Sequence, residues 1–309
     1  MALKVLRPGM LTTIQDLGRW GWQGFGVPVA GPMDAYSHRF ANSLAGNDQD
    51  AAALEITLIG PELEADTDTV CVVAGARFKT TVNGAQVEEG QLFVVPAGGR
   101  VNFGARLSGA RATFAVRGGF DVPAIFGSRA TSVVSRIGPL NGGPLRAGDV
   151  LPIAPPGKVA RPSVGSPLPL PAGGARVRIM RGPQDALFTM EAVEALCTSR
   201  FVITPQSNRM GYRLDGPLLR RAGDQADTLS DATPFGSIQV PASGTPILLM
   251  ADRQTTGGYP RIATVISADL PIAGQLAPGD WIEFQECTRE EALDALRERE
   301  RELGGDARA

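Results

Sequence analysis

The feature that most restricts this 309-residue chain is its punctuation: 38 glycines and 24 prolines, about a fifth of all residues, break it into short runs. A helix interior tolerates neither residue well. Glycine loses backbone entropy on folding, and proline removes a donor and clashes with the preceding turn. The runs between them are rich in Val, Ile, Phe and Thr: "VCVVAG", "RFKTTVNG", "QLFVVPAGG", "RATFAVRGG" and "ARVRIMRG". β-branched and aromatic side chains suit a pleated surface, so these runs read as strands closed by turns. Asn83-Gly84 fits a two-residue hairpin whose central residues both take positive φ. The expected fold is mainly β, built of barrels or sandwiches, with a few short helices.

Three segments escape this pattern. Met33–Ala45 places Met33, Tyr36, Phe40, Ala41 and Leu44 on one helical face and stops at Gly46. Pro183–Cys197 opens with a first-turn proline and repeats apolar residues at Leu187, Val193 and Leu196. The last helix starts with a capping box, Thr288 to Glu291, ahead of "ALDALRERERELGG".

The length suggests two domains. Residues 1–160 form the first expected unit, 175–309 the second with the C-terminal helix, and the proline-rich stretch 154–174 a linker. A faint repeat supports two related halves. Gln15 and Arg19-Trp20-Gly21-Trp22 recur as Gln206 and Arg209-Met210-Gly211-Tyr212, and Leu145-Arg-Ala-Gly-Asp149 recurs as Leu276-Ala-Pro-Gly-Asp280.

Much chemistry is absent from the pattern. A net charge of −2 with mixed signs points away from nucleic acid and from a polybasic membrane contact. The longest uncharged run, Ala232–Ala251, is interrupted by Pro234, Pro241 and Pro246, so it makes no membrane helix. Cys71, Cys197 and Cys287 are too few and too scattered for a disulfide framework or a thiolate zinc site, and a reducing cytoplasm is the simplest compartment. The single histidine, His38, lies in the first helix and reads as a packing residue. Gly157-Lys158 is followed by Val159, so there is no P-loop, and no acidic cluster suggests a metal.

What remains are polar, glycine-bearing turns: "TTIQDLGRWG" (12–21), "FGSRATS" (126–132), "PQSNRMGYR" (205–213) and "ADRQTTGGYPR" (251–261). Arginine grips carboxylates bidentately, Gln and Asn read amides, and glycine-flanked N–H groups receive anions. Each turn taken alone is also what any β protein requires. The last is the most crowded, sitting between the apolar runs Ile247–Met250 and Ile262–Ile266. Its Arg253, Gln254, Thr255, Thr256, Gly257, Gly258 and Tyr259 are candidate substrate contacts, with Gln206, Ser207, Asn208 and Arg209 facing them and Thr233 from a third turn. Asp252 and Asp231 are the candidate catalytic carboxylates, Asp252 either accepting a proton or orienting an arginine.

"TTIQDLGRWGWQGFGVPVAGPMD", "RGGFDVPAIFGSRAT", "QSNRMGYRLDG" and "SDATPFGSIQVPASGTPILLMADRQTTGGYPRIATVISADL" resemble the biotin-dependent carboxyltransferase A/B subdomain family, also called allophanate hydrolase subunit 2 or KipA-like. The resemblance runs from about residue 4 to 286. It implies two cyclophilin-like β-barrel subdomains. Its nearest branch implies the C subunit of an ATP-dependent 5-oxoprolinase, which opens 5-oxo-L-proline to glutamate. The partners would be a KipI-like B subunit and a LamB/YcsF-type A subunit. ATP would be bound by the complex, and no cofactor would be covalently attached. Two other family roles stay open: a urea- or allophanate-type carboxyltransferase served by biotin on another chain, and a regulator that binds a kinase inhibitor.

Overall fold

The computed structural model describes residues 1–157, 165–223 and 228–304. The central part of the expected linker, 158–164, lies outside them. The chain divides into two units: Met1–Trp20, Val29–Leu170 and Glu300–Ala309 form one, and Gly21–Pro28 with Pro171–Arg299 the other. The division departs from a single cut at the linker, because residues 21–28 go with the second unit and the chain's end with the first.

The first unit is a nine-stranded sheet. Its main path runs Leu11–Gln15, Ala53–Thr57, Arg100–Val116, Glu62–Ala65, Ala2–Arg7 and Val150–Pro152, with Thr69–Val82 pairing along Arg100–Val116. Phe103 meets Phe78 and Phe114 edge to face, each 5.8 Å away between ring centres, which is the arrangement the ring quadrupole favours. Asn83 (φ 50°) and Gly84 (φ 88°) make the expected hairpin between Thr69–Val82 and Ala85–Gln86. The first helix spans Ala35–Ala45: the Asp34 side chain accepts from the Ser37 N–H, and Gly46 ends it at φ 79°. His38 is buried there, and burial pushes its pKa down to about 4. The neutral ring accepts the Asn42 amide N–H at Nε2, 3.2 Å away.

The second unit is a closed barrel of seven strands: Gly174–Arg181, Arg261–Val265, Ser237–Gln239, Ile247–Leu249, Gly211–Asp215, Arg200–Ile203 and Trp281–Glu286, which returns to the first. Phe201, Tyr212, Ile238, Leu248, Ile282 and Phe284 are fully buried in it. The helix expected from Pro183 begins only at Met190; Asp185–Leu187 is a single 3-10 turn. Phe188 leaves the helical path to bury its ring and to bridge Arg221, and Thr189 then caps the helix by accepting from the Ala192 N–H. The capping box forms as read, with Glu291 N–H donating to Thr288 Oγ1 and Thr288 N–H to Glu291 Oε2.

Half of the sequence repeat is structural. Asp149 Oδ2 accepts from the Arg146 N–H at 2.7 Å, and Asp280 Oδ2 from the Ala277 N–H at 2.8 Å. Gly148 and Gly279 take φ 94° and 93°. Each Asp carbonyl then accepts from the next strand, from Val5 N–H in one unit and Ile203 N–H in the other. The Gln-Arg-Gly half fails: Arg19 follows the strand Leu11–Gln15, whereas Arg209 precedes Gly211–Asp215.

Candidate functional site

The turn from Thr204 to Met210 is wound on itself. Ser207 N–H donates to Thr204 O, Asn208 N–H to Gly211 O, and Met210 N–H to Asn208 Oδ1. This winding aims Arg209 inward. Its Nε and Nη2 donate to the two oxygens of Asp252, each at 3.0 Å, with side chains 5% and 1% exposed. Asp252 N–H also donates to Arg209 O at 2.8 Å, so the two turns are joined by backbone and side chain together. Such a pair is costly to break, because its bidentate contact lies out of reach of water and either charge loses a bond that solvent cannot replace.

Arg253, one residue on, has a different environment. Its Nε donates to Thr233 O at 2.7 Å, and its guanidinium lies 5.4 Å over the Phe235 ring. The residue is 8% exposed. Desolvation lowers its pKa to about 10, against the pull of the neighbouring Asp252 carboxylate. It therefore stays charged at neutral pH. Among the described residues no carboxylate pairs with it, and its two terminal NH₂ groups have no hydrogen-bond acceptor. A buried cation held this way is prepared for an anion.

The rest of the turn builds a frame around that charge. Thr256–Gly257 pairs with Asp231–Ala232 as a two-stranded ribbon, so part of the expected turn is extended. Thr233 ties in through its N–H to Thr255 O and its hydroxyl to Gln254 O. Gln254 Nε2 donates to Gln239 Oε1 at 3.1 Å, and Gln239 Nε2 to Tyr259 O at 3.2 Å. The two glycines are needed for closeness alone, since neither takes a positive φ. A Cβ on Gly257 would lie 2.8 Å from Gln239 Nε2, and one on Gly258 3.0 Å from Thr228 O.

The structure thus brings together Arg209, Asp252, Arg253, Gln254, Thr255, Gly257 and Thr233. Other expectations change. Asp252 has both oxygens held by Arg209, so of its two roles the geometry supports orientation. Asp231 is well exposed and pairs with Arg261 Nη2 at 2.8 Å, apart from the buried pair. Ser207 Oγ accepts from Arg213 N–H and Asn208 Oδ1 from Met210 N–H, so both serve the turn. Gln206, Thr256 and Tyr259 are exposed around it. Gln239 and Phe235 were missed in the sequence, although a glutamine between Ile238 and Val240 in an apolar strand was a readable signal. Among the described residues, no three His, Cys, Asp or Glu side chains come together as a metal site.

The family model for the carboxyltransferase domain, subdomain A and B, matches residues 25–286. The chain is 41% identical over 300 residues to the 5-oxoprolinase C subunit of Escherichia coli strain K12, covering 97% of this chain and 96% of that protein. It is 35% identical over 289 residues to the 5-oxoprolinase C subunit of Haemophilus influenzae, covering 93% and 92%. The crystal structure of the Kluyveromyces lactis urea carboxylase superposes with a TM-score of 0.93 at 32% identity, over 98% of this chain but only 29% of that one. With the glycine-bearing turns and the mostly β architecture, these likenesses have one reading: the chain belongs to the carboxyltransferase domain family, subdomain A and B.

Proposed function

We propose that this chain is the C subunit of an ATP-dependent 5-oxoprolinase. Arg253 is the observation that carries the reading. A buried guanidinium with both NH₂ groups open suits the carboxylate of 5-oxoproline, and Gln254, braced by Gln239, stands next to it in sequence with an amide suited to the lactam. Arg209 and Asp252 hold the turn that presents both.

A lactam resists hydrolysis because its carbon is a poor electrophile and its nitrogen a poor leaving group. Transfer of a phosphoryl group from ATP to the lactam oxygen breaks the β–γ bond and makes that carbon accept water. Ring opening then yields glutamate, ADP and phosphate. This chain's part is to bind and orient the substrate and to keep water out until activation. We assign ATP to the assembled complex, with a KipI-like B subunit and a LamB/YcsF-type A subunit, working in the cytoplasm. Support comes from the two 5-oxoprolinase relatives, matched over nearly their full length.

A second reading, carboxyl transfer to urea or a similar amide with biotin on another chain, is favoured by the likeness to the urea carboxylase structure. Both readings are tested by purifying the complex and measuring 5-oxoproline-dependent ATP hydrolysis. Turnover that falls at least a hundredfold in Arg253→Met supports the first. A complex without 5-oxoproline turnover that instead carboxylates urea from carboxybiotin would establish the second.

A further inference from the structure

The first unit carries arginines that the Arg253 region does not involve. Residues between Val133 and Asp149 line a cavity of about 400 Å³, within the usual range of small-molecule sites. Arg136 and Arg146 both line it, and neither side chain makes an ion pair or hydrogen bond with any described residue. Other surface arginines here do find carboxylates: Arg7 pairs with Glu62, Arg100 with Glu64, and Arg176 and Arg200 with Glu283. The one carboxylate on the cavity wall, Asp149, already has Oδ2 engaged by the Arg146 N–H at 2.7 Å. The wall is therefore net positive.

Its backbone is also strained. Arg136 (φ 52°), Leu140 (φ 53°) and Asn141 (φ 58°) are left-handed, a conformation that costs a side-chain-bearing residue about 1–2 kcal/mol. The surroundings enforce it. Ser132 and Ile137 exchange two backbone hydrogen bonds, of 2.8 and 3.2 Å. Gly142 lies so close to the Arg136 backbone that a Cβ there would sit 2.1 Å from the Arg136 carbonyl carbon. Leu145 anchors the far end in the core. Strain that neighbours over-determine tends to mark a loop whose shape serves a ligand.

We infer that this cavity binds a small dianion, held by the Arg136 and Arg146 guanidiniums with the Asn141 amide beside them. Guanidinium forks match carboxylate and phosphate oxygens two at a time. The aliphatic surfaces of Val133, Leu140 and Pro144 add room for a short hydrocarbon between two acidic groups. The ligand class is a compact organic diacid or a phosphate, and its site belongs to the first unit alone.

Calorimetric titration of the full chain with succinate, inorganic phosphate and acetate at constant ionic strength tests this. Succinate or phosphate should saturate one site, and acetate should bind at least about tenfold more weakly. The stronger of the two identifies the source as diacid or phosphate. Measured in an Arg253→Met background, which removes the other open guanidinium, Arg136→Gln and Arg146→Gln should each weaken binding about tenfold or more, and adding both should abolish it. Both arginines are exposed, so these variants keep the fold, which circular dichroism checks. No saturable binding of either dianion, or equal binding by the double variant, overturns the proposal.

Discussion

Two pairs of polar turns, one in each unit, share a composition and differ in what they leave over. In the first unit, "TTIQDLGRWG" and "FGSRATS" bond mainly to each other, with Gln15 Oε1 buried and without a hydrogen-bond partner among the described residues. Asp16 accepts from Ser128 Oγ at 2.6 Å and from the Arg129 N–H. Arg19 donates to Ile125 O and Ala130 O, and Gln15 to Thr131 O. In the second unit, "PQSNRMGYR" and "ADRQTTGGYPR" spend Arg209 on Asp252 but leave the terminal donors of Arg253 over. Polar groups that bond mainly to one another fix a fold, whereas a cation whose terminal donors stay open is prepared for an anion. Arginine and glycine content alone does not separate the two cases.

The largest stability effect is expected at the pair that joins the second unit's turns. Asp252→Ala should destabilise by about 3–5 kcal/mol, because the buried Arg209 loses its bidentate carboxylate contact. Urea unfolding measures this, and a loss below about 1 kcal/mol would break the distinction between Arg209 and Arg253. Asp16→Ala is the matching change in the first unit. It strands the Ser128 hydroxyl and the Arg129 N–H and should cost about 3 kcal/mol or more.

Next comes His38. Its folded pKa of about 4 lies below the ordinary 6.5, so the unfolded chain binds the proton more readily. The stabilisation is complete above pH 6.5 and is lost as pH falls toward 4, by roughly 3 kcal/mol in all. Unfolding free energies measured at pH 7 and pH 4.5 should show that slope, and His38→Phe should flatten it. An unchanged slope in the variant would assign acid sensitivity to other groups.

Gly257→Ala should cost about 1–3 kcal/mol, since its methyl would press on Gln239 Nε2 from 2.8 Å. The same change should raise KM, because Gln239 braces Gln254. A variant with wild-type KM would detach that brace from binding.

The smallest stability effect and the sharpest contrast belong to Arg253→Met. Removing a buried cation that has no carboxylate partner among the described residues should leave the melting temperature unchanged or raised, while turnover by the assembled complex collapses. A fall in stability as large as that of Asp252→Ala would make Arg253 a structural residue like Arg209.

Local signals were legible in the chain because their causes are local. Asn83-Gly84 takes left-handed φ whatever surrounds it, and Thr288 with Glu291 caps a helix within one turn. The Gly-Asp turns before Val150 and Trp281 were legible for the same reason. The sequence by itself thus determined a mostly β chain, its hairpin and caps, and the stretch where a charged turn interrupts two strands. Tertiary structure decided the rest. It moved a helix start from Pro183 to Met190, because Phe188 is pulled away to be buried. It separated Arg209 from Arg253, two arginines of the same apparent promise, by placing the Asp252 carboxylate bidentately against one and the Thr233 carbonyl and the Phe235 ring against the other. It brought in Gln239 from a strand fifteen residues away from Gln254. Pairing between side chains distant in sequence depends on which strands become neighbours, and that is settled by closing the barrel and not by any local propensity.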